Sequence, residues 1–156
     1  SILFCNHFIS RMRLVLLLIA ILFDSTAQSS TFYSNDDVLR KTIFLYSTGQ
    51  SVKVQQAIAF TLRNRFISNK KEFGGKDLSK VCLQYWENAR PEELDIPDHV
   101  EMEMNRWLER LMKGKMYDTT KGAIYFKFPD EKGYIFAELV KTTRIGKIDF
   151  FKDPVD

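Results

Sequence analysis

The chain has 156 residues, with 23 basic and 20 acidic side chains, a net charge of +3. So near-neutral a balance gives no electrostatic case for nucleic acid. Of two cysteines and two histidines, only Cys82 and His99 lie beyond residue 27, where an expected leader ends, too few for an internal disulfide or a structural zinc site. No cofactor is expected.

Met12-Arg13 opens a run of ten apolar residues, Leu14 to Phe23, followed by Asp24, Ser25, Thr26 and Ala27. A basic start, an apolar run and small residues at Ser25 and Ala27 predict a secretory signal peptide cut after Ala27. Ten apolar residues fall short of the roughly 20 that cross a hydrocarbon core, so no stable membrane anchor is expected after cleavage. Ser1 to Arg11 reads as upstream sequence carried into the frame. Residues 1–27 are therefore upstream residues plus leader, and residues 28–156 are one secreted domain. Without Arg11, Arg13 and Asp24 the domain carries 21 basic and 19 acidic side chains. It keeps one cysteine, Cys82, and one histidine, His99.

Ser34 is placed to cap a first helix, with Asp36 and Asp37 at its positive end. Val38, Leu39, Thr42, Ile43 and Tyr46 recur at helical spacing until Gly49. A second helix runs from about Ser51 to Asn69, with Val54, Ala57, Ile58, Thr61, Leu62 and Arg65 inward. Gly74-Gly75 is a turn, and a short third helix covers Asp77 to Trp86. Glu87 to Pro97 is an acidic surface loop stiffened by Pro91 and Pro97, and is a candidate partner contact. Pro97 starts a fourth helix, whose stripe is Val100, Met104, Trp107, Leu108 and Leu111, and Gly114 ends it. Strand formers then take over at Ala123 to Phe128, Tyr134 to Leu139 and Ile145 to Phe151. Helices first and a small antiparallel sheet afterwards make an α+β domain.

Four stretches, in order, resemble cell-wall hydrolases of the spore-cortex-lytic type. Gln55 to Arg65 is similar to their Ala-rich helix ending in Asn-Arg. Val81 to Trp86 resembles their Cys-containing segment, Asp118 to Phe126 their Thr-x-Gly-Ala strand, and Arg144 to Phe150 their closing Ile-Gly-Asn-His-x-Phe. The resemblance implies a lysozyme-like, cell-wall-hydrolase-like fold and a catalytic glutamate shortly before the Ala-rich helix. In register with Asn64-Arg65 and with Gly49, that glutamate position holds Tyr46, and the closing histidine position holds Ile148. A phenol of pKa about 10 is a poor proton donor for a glycosidic oxygen. Asp36 and Asp37 lie about 14 Å back along the helix, and Glu72 and Asp77 read as solvated turn residues. The expectation is a pseudoenzyme.

In the related hydrolases, residues at the positions of Gln84, Tyr85, Trp86, Tyr125 and Phe126 line or support the glycan groove. With Tyr46 they are the expected binding residues; packing at the helix-to-sheet junction is the preferred alternative for most of them. Cys82 reads as a buried small apolar residue rather than a nucleophile, His99 as a surface residue and Trp107 as core. The leader, the Lys-, Ile-, Phe- and Asn-rich composition and the small mature domain are also similar to Sec-delivered effectors of the citrus-greening Liberibacter. That resemblance implies a virulence protein released into plant cells that binds a host protein, papain-like cysteine proteases foremost, as an inhibitor. An active peptidoglycan hydrolase and a glycan-binding wall module are the alternatives.

Overall fold

The computed structural model describes residues 35–87 and 89–155, which belong to one compact unit. The predicted leader, its cleavage site and the Ser34 cap lie outside the described residues. Four α-helices precede a three-stranded antiparallel sheet, the α+β arrangement expected.

Helix α1, Asn35–Ser47, buries Val38, Leu39 and Ile43 on one face. Two hydroxyls on that face return to their own helix: Thr42 donates to the Val38 carbonyl and Ser47 to the Ile43 carbonyl. Helix α2, Val52–Ser68, is buried on every side from Ala57 to Leu62. It is the central rod, in contact with α1, with the helices that follow and with the sheet. Gln55, Ala59 and Phe60 join the expected inner stripe because neighbours cover the helix all round. Asn69, at φ 53°, ends it.

Helix α3, Leu78–Leu83, is capped by Asp77, which accepts the Lys80 N–H. It stops three residues short of the expected end. Tyr85 and Trp86 donate their N–H groups to Cys82 and Leu83, a tighter winding that closes the helix. The turn before it is seated so closely that a Cβ on Gly74 would stand 2.7 Å from the Val81 nitrogen, at φ 99°. In the Glu87–Pro97 loop, Pro91–Glu93 is a 3₁₀ turn with Pro91 buried, so the loop is anchored at its middle. Helix α4, Asp98–Met112, buries Met104, Trp107, Leu108 and Leu111 as its stripe predicts.

Strands β1 (Tyr125–Lys127), β2 (Val140–Ile145) and β3 (Ile148–Lys152) are ordered β1-β3-β2. Phe126 pairs with Phe150 and Ile145 with Ile148, which sets Ile148 and Phe150 fully buried against the helices. The strand expected from Tyr134 to Leu139 does not form, and β2 lies at Val140–Ile145, where no strand was expected before Ile145. Tyr134–Ala137 is a 3₁₀ turn, and it brings the Phe136 ring to 5.3 Å from that of Phe151. The stretch expected as one strand from Ile145 to Phe151 contains a two-residue reversal instead. Gly146 adopts φ 58° there, a conformation that matches the twist of a tight hairpin. Among the described residues no helix is long and apolar enough to cross a membrane.

Phe150 joins helices to sheet, so Phe150→Ala should lower unfolding free energy by about 3–5 kcal/mol. Val155→Ala, at an exposed site, should stay within about 0.5 kcal/mol. Urea unfolding followed by circular dichroism measures both.

Candidate functional site

The last full turn of α2 is where helices and sheet are tied together. Asn64 donates its amide both to the Asp118 carboxylate, at 2.9 Å, and to the Ala123 carbonyl, at 3.0 Å. Asp118 in turn accepts the Thr120 N–H and hydroxyl and the Gly122 N–H. The loop entering β1 is thereby closed around one carboxylate. Arg65 donates from Nε to the Ile124 carbonyl at 2.6 Å. Its guanidinium lies 4.6 Å from the Phe73 ring centre, 4.8 Å from Tyr85 and 5.3 Å from Tyr125. Gln84 holds the other side, accepting from Arg65 and donating to the Glu72 carbonyl.

Beside this cluster the Tyr46 hydroxyl donates to the Tyr85 carbonyl at 2.5 Å. The Tyr46 ring meets Tyr85 and Phe126 edge-on at 5.4 Å, and Tyr85 and Phe126 stack within 3° of parallel. Together these side chains wall a groove of about 430 Å³. Its aromatic surface comes from Tyr46, Phe73, Tyr85, Tyr125, Phe126 and Phe136, with Arg65 and Gln84 between them. Three glutamates, Glu72, Glu87 and Glu131, complete the lining, and all three are exposed. A second groove of about 420 Å³ runs between α1 and α4. Its Arg40 is paired with Glu101 and its Lys113 with Glu109.

Five of the six expected binding residues therefore meet in one groove: Tyr46, Gln84, Tyr85, Tyr125 and Phe126. Trp86 does not. It is buried on the opposite side of the turn and donates its indole N–H to Thr42 at 2.9 Å. Ile148 is fully buried in β3 and offers the groove nothing titratable. Cys82 is buried and His99 exposed at the start of α4, on separate parts of the fold. Phe73, Phe136 and Glu131 were not singled out in the sequence, and Glu87 only as the start of the Glu87–Pro97 loop. They come from turns far apart in the chain, and no local spacing announces their meeting. Among the described residues no group of three His, Cys, Asp or Glu side chains gathers as a metal site.

Burial raises the Tyr46 pKa, and the negative charges of Glu131 and Glu87 raise it further. Tyr85 is raised too, chiefly by burial, and its hydroxyl is buried without a partner. Burial also pushes the Cys82 thiol from 9.0 up to about 12. All three groups hold their protons more tightly folded than unfolded, so they stabilise the fold fully below the unfolded values. That stability drains away as pH climbs through the raised ones. Urea unfolding should be progressively easier from pH 9.0 towards about 12, the window set by Cys82, and Cys82→Ala should flatten part of the slope.

No family model, curated protein or solved structure matches the chain.

Proposed function

We propose that this chain is an exported, catalytically silent binding protein that acts outside the producing cell on a host protein, with papain-like cysteine proteases the leading target. One observation carries the silent part of this reading. At the position where the resemblance implies a catalytic acid, the Tyr46 phenol is already committed to the Tyr85 carbonyl at 2.5 Å. Burial and the neighbouring glutamates hold its proton in place, the reverse of what a group donating to a glycosidic oxygen requires. The binding part is supported by the aromatic groove and by the neighbouring Glu87–Pro97 loop. Buried Pro91 and its 3₁₀ turn pre-order that loop, which lowers the entropic cost of pressing it into a partner's cleft. The export part rests on the leader-like run from Met12 to Ala27.

Purified protein mixed with a papain-like cysteine protease is expected to abolish cleavage of a fluorogenic peptide near equimolar ratio. Full protease activity at about tenfold excess of the chain, a ratio that saturates any tight complex, removes this target.

A peptidoglycan hydrolase is the second reading, and it is favoured by Glu87 and Glu131, whose charges reach the Tyr46 hydroxyl. Glycosidases work with two carboxyl groups flanking the scissile bond. Against it stands the exposure of every glutamate in the groove, because a carboxylic acid that must stay protonated needs an apolar, water-poor surround. Digestion of purified sacculi decides the matter. The binding reading expects no soluble muropeptides; release that disappears in Glu87→Gln or Glu131→Gln establishes the hydrolase. Retention on sacculi without release identifies a glycan-binding wall module.

A further inference from the structure

The charges around the groove are matched at one end and unmatched at the other. At the Phe73 end the Arg65 guanidinium is held by the Ile124 carbonyl, by Gln84 and by three ring faces. Glu72 sits there too, and feels the charge of Lys70, although Lys70 itself is paired with Asp153 at 2.5 Å. At the Tyr46 end no cation is held in this way among the described residues. Glu87 and Glu131 both act on the Tyr46 hydroxyl, and neither is in an ion pair among the described residues. Lys127 of β1 lies over the Phe136 ring, 5.4 Å from its centre, and Glu131 accepts only the neutral Phe128 N–H, at 3.3 Å, among the described residues.

The Tyr46 end offers an aromatic wall with two carboxylates. The Arg65 of the same groove is committed to the Ile124 carbonyl, Gln84 and three rings, so this end selects by charge. An acidic ligand is repelled there. A neutral sugar would stack on the rings but leave both carboxylates without a counter-charge. A primary ammonium or a guanidinium satisfies both features, because its charge is attracted to the carboxylates and to the ring faces alike, while its methylene stem covers apolar surface. A groove of about 430 Å³ accommodates such a side chain together with the backbone that bears it.

We propose that the Tyr46 end of the groove receives a basic side chain, lysine or arginine, of the partner protein, with its charge between Glu87 and Glu131 and its stem against Tyr46 and Phe126. This rests on the binding-protein reading and names the chemistry the groove selects.

The probe is the peptide acetyl-Gly-Arg-Gly-amide titrated into the isotope-labelled chain and followed by amide chemical shifts. The control is the same peptide with citrulline, which keeps the shape and removes the charge. Shifts are expected around Tyr46, Glu87, Phe126 and Glu131, with the citrulline peptide at least about tenfold weaker. The Glu87→Gln/Glu131→Gln variant should lose binding by a similar factor while unfolding at the same urea midpoint, since both side chains are exposed. An absence of shifts with the arginine peptide overturns the proposal. So does an equal response to citrulline, or unchanged binding in the double variant. The two readings fail separately. A double variant that still inhibits the protease at full strength sinks the basic-side-chain contact and keeps the binding protein. A native chain that takes the arginine peptide but leaves the protease untouched does the opposite.

Discussion

Two neighbouring side chains at the end of α2, Asn64 and Arg65, hold helices and sheet in one arrangement. Their hydrogen bonds to the carbonyls of Ala123 and Ile124 fix where β1 begins. Since β1 pairs with β3, and β3 carries Ile148 and Phe150 into the core, the register of the whole sheet depends on that anchorage. The same arginine lies against the rings of Phe73, Tyr85 and Tyr125, so the tether also positions three walls of the groove. A lysine at position 65 would keep the charge and lose the fork that bonds and stacks at once.

The helical half was largely legible because its signals are local. The Met104, Trp107, Leu108 and Leu111 stripe and the end of α2 near Asn69 each follow from residues within a turn or two. The sheet was legible in composition and at β1, but its middle strand was misplaced. Tyr134 to Ala137 is apolar without alternation, and such a run does not distinguish a strand from a tight turn that packs one ring, as Phe136 does on Phe151. Gly146 lay inside a stretch of strand formers, and only its positive φ turns that stretch into a hairpin. The all-round burial of α2 is a tertiary fact: Gln55 and Phe60 become interior because other elements cover them.

The groove divides the same way. Gln84, Tyr85, Tyr125 and Phe126 were found from motif-like segments, and the fold brings them to one surface with Tyr46. Trp86, adjacent to Tyr85, points elsewhere because the end of α3 rotates successive residues to opposite sides. The meeting of the glutamates was not legible, for the opposite reason. Glu72, Glu87 and Glu131 belong to three turns, and only the packing of α3 and β1 against α2 makes neighbours of them. Of these contributors, Tyr46 also closes α1 onto the turn after α3 through its hydroxyl.

Cys82 is the lone thiol among the described residues, and it lies at the bottom of the core with its proton held up to about pH 12. Disulfide exchange proceeds through an accessible thiolate, and the folded chain presents neither the anion nor a path to it. In an oxidising medium the molecule is thus protected from cross-linking to its copies through Cys82 for as long as it stays folded, and the same sulfur turns reactive the moment α3 comes away.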